Sequence, residues 1–293
     1  MPSIAAHLEG GWRQAADPAW LEGWEERAFD LPGGSTRMVV MGEGPPLLLL
    51  PPLPGFKEAY VACAFRLARR FRVVTYDLRS EFGGRPRWPT LLDDLRRVAD
   101  AAAPGLAAVA GHSLGGALAQ RFALAHPERV AGLVLSSSFA RVATPRSQWR
   151  ARFLEQPAVL AGLRFLPEAR ALAWAGRLAA RGGWVFDPRC DRHVLGLVRH
   201  GVRHLSVGLA LDRVRLAFEH DARADLPRLR CPALVLVGER EPVSFRSAAE
   251  ELTRLIPRSR LLFSPGASHL HPLSNAEWFA DTIGRWLSGA RSA

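Results

Sequence analysis

The chain has 293 residues, 48% of them hydrophobic, with 39 Lys and Arg against 28 Asp and Glu and a formal net charge of +11. That length suits one large domain or a core with an insertion, and that composition excludes a disordered chain. The basic excess forms no blocks: Lys57 is the sole lysine and the other 38 basic residues are arginine, so the charge reads as a coding bias and not as a nucleic-acid footprint.

Residues 1–24 carry Trp12, Trp20 and Trp24 around Asp17-Pro18, where a secretory leader would need a basic start and an apolar stretch. They are expected to pack a short helical arm onto the domain, a partner-binding arm being the other reading. Arg27–Leu31, Pro32-Gly33-Gly34 and Thr36–Met41 predict a hairpin. Leu47–Leu50 is a fully apolar run suited to a central strand covered on both faces, and it is stopped by Pro51-Pro52 far short of membrane-spanning length. Residues 58–70 predict a helix, 71–76 a strand, and 90–103 a helix with Thr90 as its cap candidate. Leu106–Ala110 reads as a strand, Ala117–Ala125 as a helix stopped by His126-Pro127, and Val130–Leu135 as a second apolar strand.

After Ser136-Ser137-Ser138 the strand-helix rhythm breaks. Residues 141–220 show helical spacing, with Ala171, Leu172, Trp174, Ala175 and Leu178 on one stretch and Val194, Leu195, Leu197, Val198 and Val202 on another. Residues 141–225 hold 15 Arg against 8 acids, read as arginine solvated on helix faces, with a preference for anionic substrates as the alternative. His193, His200 and His204 have no carboxylate or cysteine to complete a ligand set, so no metal is expected. Cys63, Cys190 and Cys231 are odd in number and lack metal-like spacing; they read as buried thiols in a reducing compartment. Sheet signals resume at Ala233–Val237, followed by a helix over 247–256, a strand over 259–263 and a final amphipathic helix over 275–287. The expectation is a soluble, cytoplasmic protein without a membrane span.

The most informative stretch is Val109-Ala-Gly-His-Ser-Leu-Gly-Gly116, a strand running into G-x-S-x-G at Gly111, Ser113 and Gly115. A serine on a sharp turn between strand and helix is held in a strained conformation and needs small neighbours on both sides. The helix after it points free N–H groups and a partial positive charge at the turn. Gly111-His-Ser-Leu-Gly-Gly116, followed by His126-Pro-Glu-Arg-Val130, resembles the α/β-hydrolase superfamily. That resemblance implies a mostly parallel central sheet flanked by helices with a helical lid insertion: beside the tryptophan-rich arm at 1–24, a core at 25–140 and 221–293, and a lid at 141–220. Phe153, Trp174, Trp184 and Phe218 are candidates for apolar pocket walls, weighed against plain lid core.

The resemblance also assigns roles. Ser113 is the nucleophile. Glu241, in the Gly238-Glu-Arg-Glu241 turn, fills the slot of the orienting acid, with Glu239 as the near competitor and no acid at Ser136–Phe139. His269, in Ser264-Pro-Gly-Ala-Ser-His269, is the base; Ser268 replaces the family's second glycine, and His271 suits a rim or structural role. The backbone N–H groups of Leu114 and Leu53 are the expected oxyanion donors. Leu53 stands in Pro51-Pro52-Leu53 where the family usually has His-Gly-x, so the glycine that eases that turn is absent, while Leu53 keeps its N–H. Asp77 in Asp77-Leu-Arg79, with Ser80 in a glycine's place, reads as a turn brace. The order Ser113, Glu241, His269 implies hydrolysis of a small-molecule carboxylic ester through an acyl-serine, with no cofactor. Thioesters, lactones, carbon–carbon cleavage and acyl transfer use the same triad. A non-catalytic ligand- or partner-binding relative is the alternative of another class.

Overall fold

The computed structural model describes residues 13–14, 16–79, 86–142, 158, 161–162, 165–180, 186–204 and 206–290. Trp12, Ser80, Phe153 and Trp184 lie outside them.

Eight strands form one sheet: β1 (Glu26–Leu31), β2 (Gly34–Met41), β3 (Pro46–Leu50), β4 (Arg72–Tyr76), β5 (Ala107–His112), β6 (Val130–Ser136), β7 (Ala233–Gly238) and β8 (Ser259–Ser264). Their spatial order is β1-β2-β4-β3-β5-β6-β7-β8. The β1–β2 and β2–β4 pairs are antiparallel, and every pair from β4 to β8 is parallel. The hairpin forms as expected, with Leu31 opposite Gly34 and Gly33 at φ 75° supplying the left-handed turn residue.

The apolar run in β3 shows why the parallel strands read as continuous hydrophobic segments. Side chains alternate faces along a strand. Leu48 and Leu50 enter one core with Val109, Leu133, Leu135, Val235 and Val237, whereas Leu47 and Leu49 enter the other with Ala108, Ala110, Val134, Leu234 and Leu236. The first core is closed by helices α2 (Trp88–Ala102) and α3 (Leu114–Ala125), and by α8, which spans Val243–Leu255. The second is closed by α1 (Val61–Leu67) and by α9, which spans Ala276–Ala290. Trp24 is buried in this second core and Trp20 packs against it.

Some helix starts depart from the sequence expectation. A 3-10 turn at Lys57–Tyr60 precedes α1, and α2 begins at Trp88 with Pro89 in its first turn, so Thr90 is inside the helix and is not its cap. Cys63 and Cys231 are buried as expected, but Cys190 is only half-buried.

Between β6 and β7 the described residues form α4 (Glu168–Ala180), α5 (Pro188–Asp191), α6 (Leu195–His204) and α7 (Val207–Glu219). The chain leaves and returns at one place: Arg141 bridges Asp221, and the Ala222 N–H donates to the Ala140 carbonyl at 2.9 Å. Ala171, Ala175, Phe186 and Leu195 make a small core of their own, and Trp174 packs on it with Leu270. Trp174 is therefore helical core, while Phe218 is 36% exposed. No described helix is long and apolar enough to cross a membrane.

Candidate active site

The turn after β5 is built by sterics. Ser113 is the N-cap of α3 at φ 53° and ψ −115°, one of two described non-glycine residues with positive φ. A Cβ on Gly111 would enter the Gly115 carbonyl, and one on Gly115 would enter the carbonyls of Leu50 and Pro51. The two glycines of the motif thus let the first turn of α3 close over the strand end and press against the loop that begins at Pro51. Ser113 itself is half-buried, its N–H bonded to the Ser136 carbonyl at 2.8 Å. Leu114 is the first residue of α3, so its N–H has no acceptor within the helix.

Pro51, Pro52, Leu53 and Pro54 leave β3 in a turn closed by Gly55, whose N–H donates to the Pro52 carbonyl at 2.7 Å. Gly55 adopts φ 79°. The left-handed residue of this turn therefore stands at 55, downstream of the position where the family pattern carries its glycine. Asp77 braces the same region: its carboxylate accepts from the Lys57 N–H at 2.9 Å and from Lys57 Nζ at 3.0 Å.

At the ends of β7 and β8, Glu241 and His269 meet. Nδ1 of His269 lies 2.9 Å from Oε2 of Glu241, and since a carboxylate only accepts, Nδ1 carries the proton of this bond and Nε2 faces away from the carboxylate. Oε1 of Glu241 accepts from the Gly238 N–H at 2.9 Å and from the Ser137 hydroxyl. Burial pushes the Glu241 carboxyl up, but the charge and hydrogen bond of His269, with His271 and Ser137, outweigh it and hold it below its ordinary value. Glu239, the competitor, instead accepts from the Gly266 N–H at 2.7 Å and so braces the loop that carries His269. The His269 ring packs at a tilt against Phe245, with centroids 4.5 Å apart, and against His112, the residue before Ser113, at 4.8 Å.

Behind this pair lies a polar network that the sequence reading did not anticipate. Nε2 of His271 is 3.0 Å from the hydroxyls of both Ser136 and Ser137, and Ser136 in turn is 2.9 Å from Nδ1 of His112. Ser137, at φ 47°, already donates to Glu241, so it accepts from His271. His271 is fully buried, a structural position and not a rim. Burial lowers it to about 4, with Glu241 opposing and His269 adding to the shift. The signal available in the sequence was three successive hydroxyl residues at the end of a buried strand.

The chain belongs to the alpha/beta hydrolase family, whose model matches residues 47–282. It is 32% identical over 257 residues to a pimeloyl-[acyl-carrier protein] methyl ester esterase of Chromobacterium violaceum, covering 84% of this chain and 96% of that protein. It is 29% identical over 262 residues to the polyketide synthase ThaQ of Burkholderia thailandensis, which covers 87% of this chain but only 12% of ThaQ. Among solved structures, an esterase from Thermogutta terrifontis superposes with a TM-score of 0.68 at 25% identity, covering 91% of this chain and 99% of that one.

Proposed function

We propose that the protein is a serine hydrolase of carboxylic esters, with Ser113 as nucleophile, His269 as base and Glu241 as the acid that orients it. The reading rests foremost on the 2.9 Å bond between His269 and Glu241, which joins two loops at the same sheet edge that ends in Ser113. A serine hydroxyl is a weak nucleophile at neutral pH; the lone pair on His269 Nε2 takes its proton as the bond to the carbonyl carbon forms. The negative charge moves to the carbonyl oxygen, where the N–H groups of Leu114 and Leu53 receive it, and the alcohol leaves with the proton from His269. Water, activated by the same imidazole, then releases the acid from the acyl-serine. None of these steps calls for a cofactor.

The segment 141–220 is assigned as the lid, between the arm and core divisions 1–24, 25–140 and 221–293. Its support is the neck at Arg141 and Asp221 and the packing of Leu195 in α6 with Leu270 beside the base. The name of the Chromobacterium relative makes the methyl ester of a carrier-borne acyl chain the first substrate to test. Thioester, lactone, diketone and acyl-transfer assays run beside it separate the other chemistries this site serves. The Pro51-Pro52 turn is the observation behind a second reading, a relative that binds without turnover.

One experiment decides between them. The wild-type protein is expected to be labelled by a fluorophosphonate and to hydrolyse short p-nitrophenyl esters, and Ser113→Ala to lose both. Labelling that persists in the variant would falsify the assignment of Ser113. A protein inert to the label and to the whole panel, yet binding a small molecule tightly, supports the second reading.

A further inference from the structure

Arg213, in the middle of α7, is among the largest fully buried side chains, and its environment is unusual for a guanidinium. Nη1 donates to the carbonyls of Pro54 and, at 3.4 Å, Leu53. Nη2 donates to the carbonyls of Leu78 at 2.8 Å and Arg79 at 3.1 Å. No carboxylate lies within ion-pair distance of it among the described residues. Burial lowers it to about 10, against a weaker pull from Asp77, so it remains charged at neutral pH.

Burying a charge against carbonyl dipoles alone is costly, and a well-packed apolar side chain would join α7 to the core at lower cost. The planar fork does what an apolar residue cannot: it fixes the direction of four carbonyls on two loops at once. Two of those carbonyls belong to the central residues of the turn that carries the Leu53 N–H. The Pro52 carbonyl is held by Gly55 from inside the turn, and in a planar trans peptide that sets the Leu53 N–H pointing the opposite way. The guanidinium also occupies the space beside Gly55 that a Cβ there would enter. The turn is thus closed from within by Gly55 and gripped from outside by Arg213, in the stretch where the family's usual glycine is missing.

We infer that Arg213 is a positioning residue that holds the Leu53 N–H in line for the oxyanion; the role rests on the serine-hydrolase reading above. Its test uses the full chain with Arg213→Gln and Arg213→Lys. Three quantities are read: kcat and KM on a p-nitrophenyl ester, the Ki of a trifluoromethyl ketone that adds to serine as an oxyanion, and hydrogen exchange at the Gly55 amide, which is bonded to the Pro52 carbonyl. In a folded Arg213→Gln protein, kcat is expected to fall about 10- to 100-fold, less than or equal to the loss of a whole oxyanion donor, with KM little changed. Ki should rise in parallel and exchange at the Gly55 amide should quicken, with Arg213→Lys intermediate because it keeps the charge and loses the fork. A folded Arg213→Gln protein with kcat, Ki and exchange within about twofold of wild type overturns the inference, and so does failure of both variants to fold, which would make Arg213 a fold determinant only. Loss of the underlying reading shows differently: the wild type itself is then inert to ester and ketone, or unaffected by Ser113→Ala, and the role of Arg213 goes with it.

Discussion

Ser137 stands at the end of β6, buried, with positive φ and with its hydroxyl on Glu241. Two effects meet in this one residue and have opposite signs on substitution. The hydrogen bond to a buried carboxylate is worth roughly 1.5–3 kcal/mol, whereas a non-glycine residue held at positive φ costs of order 1 kcal/mol. Ser137→Ala loses the bond and keeps the strain; Ser137→Gly loses the bond and relieves it. Thermal or urea unfolding should therefore rank wild type above Ser137→Gly and Ser137→Gly above Ser137→Ala, the last by about 2 kcal/mol or more relative to wild type. Equal stability of Ala and wild type would show that the hydroxyl carries nothing.

At the scale of elements, α5 reaches the loop of the base. Asp191, at the end of α5 and fully buried, accepts from the Asp187 N–H at 2.7 Å and from the hydroxyl of Ser268, the residue before His269. The serine that replaces the family's second glycine is thereby tied to the helical segment between β6 and β7. Asp191→Asn and Ser268→Ala should each lower kcat, and in a double-mutant cycle their effects on stability should fall short of additivity by about 1–3 kcal/mol. Strict additivity would mean that the two side chains act apart. Such contacts also mark where legibility in the sequence ends. The turn at Ser113 was readable because Gly111 and Gly115 answer a local steric need, and β3 because its four leucines can only be covered on both faces. Arg213 and Asp191 were not, since a charged residue in a helical pattern looks solvated until the loop that takes its hydrogen bonds is placed against it. Thr90 was misplaced for a related reason: Pro89 fits the first turn of α2 and moves the helix start upstream.

For the whole molecule, the buried titratable groups set how stability responds to acid. His271 is lowered to about 4 and His220 to about 3, both chiefly by burial, the latter also by Arg121. His112 is lowered well below the ordinary range by burial and by its neighbours His269 and His271. Each stays neutral in the folded chain at a pH where the unfolded chain, with ordinary histidines near 6.5, is already taking up a proton. The unfolded state then binds more protons, so stability rises with pH across that window and is lost as pH falls from about 6.5 toward the folded values. Glu58 acts with the opposite sign: burial raises it above an ordinary glutamate, so its contribution is present at low pH and is lost as pH rises through its folded value. The three histidines stand against Glu58, and against the buried carboxyls of Asp94 and Asp191, also raised by burial, at the acid end of the window, at about 1.4 kcal/mol per pH unit for each fully engaged group. Melting temperature is therefore expected to be nearly level between about pH 7 and 8 and to drop steadily from about pH 6.5 to 4.5. A melting temperature that holds level or climbs over that acid range would mean that water or a rearrangement reaches these histidines before the chain unfolds.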